Sequence, residues 1–409
     1  MKAPPEAHPP LPAALAALTG QGVAAIDTPA AVIDLDAMEL NLARMAAFAR
    51  AHGVRLRPHA KMHKSAFLAR LQMQAGAVGV CVQKTSEAEA LSAAGVTDIY
   101  ISNQVIDPAK LRRVAALAQR LQAAGGRLGI AVDSLEGIAR LAAAVSGQDP
   151  EADATSTALD VFVEIDVGQG RCGAPPGEAA VALALAIAAH PVLRFAGLQA
   201  YHGRAQHQRG VDERRDAIAR AARAVQDTRA RIEAAGLAVP LVTGAGTGTF
   251  ALETASGAWD ELQAGSYLFM DADYAANAHD PAQPAFEHAL FVKSQVISVN
   301  AAHAVCDAGH KSHAIDSGLP RVHALPGQGA LSFANGGDEH GILHPVAGDR
   351  TLAGAPEPAL PAWGDTVWLI PGHCDPTVNL HDHLIGVRGG LEHGTVERII
   401  RVDARGALT

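Results

Sequence analysis

The chain has 409 residues, about half of them apolar, which is enough for a large core and two domains. Charged residues make up 18% and the formal net charge is −9 with no basic block, which argues against nucleic acid and anionic membrane as partners and leaves room for a small anion in a local site. The four cysteines (Cys81, Cys172, Cys306 and Cys374) are too scattered for a disulfide framework or a zinc cluster, and without a leader pattern or a long apolar run the reading is a soluble, cytoplasmic protein.

Residues 1–27 are expected to pack on the C-terminal part of the chain or to stay mobile. A short apolar run at 30–35 precedes Asp36, read as a helix N-cap with Glu39 as its capping-box partner. Met38, Leu42, Met45 and Phe48 then fall at helical spacing over 37–51. Strand-like runs follow at 54–57, 78–82, 98–102, 128–132, 161–165, 195–199, 240–243 and 261–263. Helical stretches lie between most of them, at 64–74, 86–94, 109–123 and 209–235, but no clear helix separates the last two strands. Eight strands with helical crossovers predict a (β/α)8 TIM-type barrel over 28–284, with an open doubly wound sheet as the alternative. From 285 to 409 short strands at 290–298, 303–307, 331–334, 366–369, 384–388 and 395–402 predict a mostly β domain.

The polar motifs follow the strand ends, where barrels place their active sites. After the first strand come His59, Lys61, His63 and Lys64. A lysine in a barrel mouth is partly desolvated, which lowers its pKa and frees it as a nucleophile, although an isolated basic turn is more often just exposed. After the fifth strand, three glycines near Arg171 let backbone approach a ligand. After the sixth, Tyr201 can face a heteroaromatic ring, while His202 and His207 offer neutral bases. The alternating Gly and Thr of 243–249 suit a phosphate, with Gly265, Ser266 and Tyr267 as a second wall; no Walker lysine is present. In the β domain, extended backbone at 373–375 would put His373 and Asp375 on one face and Cys374 on the other, a pair suited to a divalent cation or equally to a polar turn.

Jointly, RPHAKMHK (57–64), CVQKTSEAE (81–89), ISNQV (101–105), EIDVGQGRCG (164–173), LQAYHGRAQH (198–207), TGAGTG (243–248), ELQAGSYLFMDADY (261–274), DEHG (338–341) and PGHCDPTVNLHD (371–382) resemble the D-threonine aldolase and D-serine dehydratase family. Its members are alanine racemase-like: a pyridoxal-phosphate barrel plus a C-terminal β domain. The resemblance implies Lys61 as the Schiff-base lysine, Gln83, Arg171 and Tyr201 about the cofactor ring, and Gly246, Thr247, Gly265, Ser266 and Tyr267 about its phosphate. It implies His373 and Asp375 as ligands of a divalent metal and His207 as the group acting on the substrate's β-hydroxyl. Dehydratases of the family typically show His-x-Cys at the metal; Asp375 at the third position resembles the aldolase branch and makes manganese the first candidate, ahead of magnesium, cobalt or zinc. The implied activity is retro-aldol cleavage of D-3-hydroxy-amino acids to glycine and an aldehyde, by a homodimer. Alternatives are a 3-hydroxy-D-aspartate aldolase, a D-serine or 3-hydroxyaspartate dehydratase, a metal-free racemase, a non-catalytic cofactor carrier and a metal-only hydrolase.

Overall fold

A computed structural model describes residues 10–147, 158–325, 329–346 and 359–409. The strands Arg55–Leu56, Val80–Val82, Asp98–Ile101, Arg127–Val132, Leu159–Glu164, Leu193–Ala200, Val242–Gly244 and Glu261–Leu262 form one parallel sheet. The first pairs with the last, and the ring closes where Val78 N–H donates to Leu56 O and Cys81 N–H to Pro58 O, both at 2.9 Å. All eight expected strands are present, and most of their residues are buried, as a parallel sheet covered on both faces demands. The helix missing from the sequence pattern is Phe250–Ser256, only seven residues long and therefore too short to show a period.

The opening helix is Leu35–His52, and its cap is Asp34 rather than Asp36. The Asp34 carboxylate accepts from the N–H groups of Asp36 and Ala37, while Asp36 and Glu39 both turn to Arg388. The strand before it, Ala30–Asp34, does not enter the barrel. It runs antiparallel to Leu290–Val299 and parallel to His383–Arg388, inside the nine-stranded sheet of the β domain. The six strands expected there are present; Arg321–His323 and Gly341–Pro345 are additional. Residues 1–9 of the N-terminal segment lie outside the described residues; beyond them Gly20 and Val23 donate backbone hydrogen bonds to Val396 and Gly394, and the Lys293 ammonium donates to Ile26 O. The described part of the segment therefore packs on the β domain.

One apolar core joins the two parts. Met38, Leu56, Met62, Phe250 and Leu262 from the barrel side meet Ile33, Leu290, Cys374, Val378 and Leu384 from the β side. Cys374 and Val378 belong to a one-turn helix, Cys374–Val378, seated against the turn Ala60–Met62. Burial of that helix brings the β domain over the rim of the barrel. No described helix is long and apolar enough to cross a membrane.

Candidate active site

A cavity of about 250 Å³ opens at the C-terminal ends of the barrel strands. Lys61 enters it from the turn Ala60–Met62, whose flanking residues Ala60 and Met62 are buried. Its Nζ lies 3.1 Å from Asp375 Oδ2. The side chain keeps 42% exposure because the cavity is open space. The Asp375 carboxylate raises the Lys61 pKa, outweighing desolvation, which acts to lower it, the direction expected from the sequence. Burial pushes Asp375 the other way, yet the Lys61 and His373 charges hold its carboxyl below the ordinary range. Lys64, the rival lysine, is buried at a positive φ of 51° and paired with Glu87 Oε1 at 2.8 Å, outside the cavity lining.

Behind Lys61 stands a polar wall in which His59 and the expected Gln83 are joined by Ser102 and Gln199, two residues not singled out from the sequence. His59 Nε2 lies 3.2 Å from Gln83 Oε1 and 3.1 Å from Ser102 Oγ, and burial pushes its pKa down to about 3, so the ring is neutral. Gln199 Nε2 donates to Ser102 O and its Oε1 accepts from Tyr100. The detectable signal was the polar side chain itself: Ser102 directly follows the buried Ile99–Ile101, and Gln199 sits between the buried Leu198 and Ala200. Opposite, the Arg171 guanidinium sits over the Tyr201 ring, 5.8 Å from its centroid. The glycines before Arg171 do not line the cavity. Gly168 and Gly170 donate their N–H groups to the Asp166 carboxylate, shaping the loop that delivers Arg171.

A third wall is backbone. Gly246, Thr247, Gly265 and Ser266 line the cavity, and their N–H groups have no protein acceptor among the described residues. Ala245 takes a φ of 69°, which turns the chain into this nest. A Cβ on Gly265 would stand 2.6 Å from His59 O. Gly265→Ala is therefore expected to weaken binding of a phosphate-bearing cofactor by roughly tenfold or more, since losing one charge-assisted hydrogen bond costs about 1.5–3 kcal/mol. Titration of the apoprotein with pyridoxal phosphate measures this, and unchanged affinity would refute the role of the nest. Tyr267, expected here, points elsewhere: its ring is fully buried, its hydroxyl accepts from Gln72 Nε2, and its N–H donates to Thr247 Oγ1.

Below the nest, Gly248 N–H donates to Gln206 Oε1, Gln206 Nε2 to Thr249 Oγ1, and Thr249 to Glu253 Oε1. The other Glu253 oxygen is buried without a partner, and burial pushes its pKa up to about 7 from 4.5. Between those values the folded state holds a proton that the unfolded chain has released, so stability falls as pH rises through that window. Glu253→Gln is expected to raise unfolding free energy by about 3 kcal/mol at pH 8, with the gain vanishing towards pH 4. Urea unfolding at the two pH values checks it; an equal gain at both would rule out carboxylate charge as the cause.

The fourth wall holds His207, Tyr274, His373 and Asp375. His207 Nδ1 lies 2.6 Å from Asp273 Oδ2, which directs Nε2 away from that bond. His373 Nε2 stands 3.8 Å from Asp375 Oδ1, and its Nδ1 is 2.7 Å from Asp316 Oδ2. The backbone at 373–375 is not extended, as expected from sequence, but begins a helix with His373 as N-cap. The outcome for the side chains is the same: His373 and Asp375 line the cavity while Cys374 is fully buried in the core. The Asp271 carboxylate locks this arrangement, accepting from Tyr274 N–H and Cys374 N–H.

The comparisons with known proteins fit this geometry. The family model for the alanine racemase N-terminal domain matches residues 33–273, and that for a putative serine dehydratase domain matches 289–387. A 3-hydroxy-D-aspartate aldolase from Paracoccus denitrificans is 42% identical over 95% of both chains. A D-threonine aldolase from Arthrobacter sp. is 41% identical, again over 95% of each. The crystal structure of D-threonine aldolase from Filomicrobium marinum superposes with a TM-score of 0.86 at 45% identity, covering 96% of this chain and 99% of that one. The chain belongs to the alanine racemase-like D-threonine aldolase and D-serine dehydratase family.

That family implies pyridoxal phosphate, and the cavity suits it. A lysine amine, an arginine-backed phenol and a nest of unused N–H groups share one space, and the nest is where a Cβ on Gly246 or Gly265 would clash. For a divalent cation the fit is thinner. Among the described residues no group of three or more His, Cys, Asp or Glu side chains gathers as a metal site. The pair His373 and Asp375 nevertheless offers a ring nitrogen fixed from behind by a carboxylate, facing a buried carboxylate oxygen without a hydrogen-bond partner.

Proposed function

We propose that the protein is a pyridoxal-phosphate aldolase that cleaves D-3-hydroxy-amino acids, D-threonine first among them, to glycine and an aldehyde, with a divalent cation at His373 and Asp375. The observation that carries this reading is the single cavity in which Lys61 faces a phosphate nest on one side and His207, His373 and Asp375 on the other. Lys61 would hold the cofactor's aldehyde carbon, Gly246, Thr247, Gly265 and Ser266 its phosphate, and Gln83, Arg171 and Tyr201 its ring. The bound cofactor supplies an electron sink for the pair released when Cα–Cβ breaks.

The chain's own residues do the rest. His207 takes the β-hydroxyl proton at Nε2, the ring nitrogen not engaged by Asp273. A cation at His373 and Asp375 would polarise the same hydroxyl oxygen as a Lewis acid. Neutral His59 and the Gln83–Ser102–Gln199 wall keep the far side of the cavity uncharged. The reading includes manganese as the first ion to test and a homodimer, both supported by the resemblance, and a cytoplasmic location, supported by the scattered cysteines.

A second reading, a 3-hydroxy-D-aspartate aldolase, is favoured by the Paracoccus relative's 42% identity. One experiment separates the readings. Protein treated with chelator, then given manganese or none, is incubated with D-threonine or 3-hydroxy-D-aspartate. Glycine with acetaldehyde or with glyoxylate identifies the aldolase and its substrate. Ammonia with a 2-oxo acid and no glycine would replace it with a dehydratase.

A further inference from the structure

We propose that Asp273 is a positioning residue that fixes the tautomer of His207, and that Arg209 fixes Asp273 in turn. The inference rests on the aldolase reading, because it assigns His207 Nε2 the task of accepting the β-hydroxyl proton. Asp273 lies on the one-turn helix Ala272–Ala275, beside Tyr274, which lines the cavity. Its side chain is 9% exposed and makes two contacts of opposite purpose. Oδ2 sits 2.6 Å from His207 Nδ1, and Oδ1 accepts from Arg209 Nη2. Arg209 Nη1 is anchored separately, donating to Asp273 O at 2.6 Å and Asn277 Oδ1 at 2.7 Å.

The chemistry follows from donor and acceptor counting. A carboxylate can only accept, so the proton it accepts belongs to Nδ1, and Nε2 is left with a free lone pair. Burial works against the charge of Asp273, but Arg209 and His207 hold its carboxyl below the ordinary range. The Tyr274 ring lies 5.6 Å from the His207 ring by centroid, and both line the cavity.

The arrangement predicts an unusual ranking. In Asp273→Asn, Arg209 can only donate, so it captures the new amide's oxygen and forces the amide NH2 towards His207. Nδ1 must then accept, the proton moves to Nε2, and the base is blocked. Alanine imposes no tautomer. With saturating cofactor, kcat for glycine release is expected to fall roughly a hundredfold or more in Asp273→Asn and about tenfold in Asp273→Ala, with KM within about twofold of wild type in both. Adding Arg209→Met to Asp273→Asn frees the amide to turn its oxygen to Nδ1, and kcat is expected to rise several-fold above the single variant. Formate should restore part of the Asp273→Ala rate and leave wild type unaffected.

A scaffold role predicts the reverse: asparagine, nearly isosteric, would be the milder change, and the double variant would be the worst. Wild-type kcat in Asp273→Asn, or a further fall on adding Arg209→Met, overturns the inference. Should Asp273→Asn fail to accumulate, the formate response of Asp273→Ala decides. If wild type releases no glycine from either substrate, the aldolase reading has failed, and the variant comparison is not what failed.

Discussion

Lys61→Ala is expected to lose at least about four orders of magnitude in turnover, the scale seen when a covalent nucleophile is removed. It should also lose the ability to be fixed to pyridoxal phosphate by borohydride, which mass spectrometry of the intact chain reads directly. Lys61 is the lysine that lines the cavity, between the nest at Gly246 and Gly265 and the carboxylate of Asp375. The parallel change at Lys64 should leave cofactor fixation in place and cost stability, because it removes the cation paired with the buried Glu87 carboxylate. Fixation that survives in Lys61→Ala and is lost in Lys64→Ala would reverse the assignment.

His373→Ala is expected to abolish binding of manganese, read as metal content after dialysis, and to lower kcat by roughly a thousandfold, the equivalent of about 4 kcal/mol of transition-state stabilisation. Asp375 is the less clean probe, since it also pairs with Lys61 at 3.1 Å. Asp316→Asn tests the support behind the ring: Asp316 Oδ2 meets His373 Nδ1 at 2.7 Å, and its loss should weaken metal affinity by about 10–100-fold. Wild-type metal content and rate in His373→Ala would remove the cation from the proposal.

The fold was legible because parallel strands buried on both faces read as apolar runs, as Val80–Val82 and the inner residues of Arg127–Val132 and Leu159–Glu164 do. Weaker elements escaped. Gly341–Pro345 carries a glycine and a proline at its two ends, and Arg321–His323 is three residues of mixed polarity, so neither had a pattern to show. Asp34 and Asp36 are both plausible caps, and only the positions of the Ala37 N–H and of Arg388 separate them.

The site was legible as motifs rather than as directions. Lys61 and Lys64 stand three apart, and their fates diverge because one follows a buried alanine into the cavity while the other turns under at positive φ. Tyr267 shares a motif with Ser266 yet points into the core. Asp273 was invisible as a functional residue because its meaning lies in a pairing with His207, 66 residues away.

The placement of Ala30–Asp34 between Leu290–Val299 and His383–Arg388 makes the barrel an insertion within the β domain. During synthesis that strand leaves the ribosome before any barrel strand, and its two neighbours arrive only after the barrel is finished. Its edges must stay unpaired for the whole interval. The wall bearing His373 and Asp375 is therefore the last to emerge. Chains released early would thus carry the lysine and the phosphate nest without the residues assigned here to the cation.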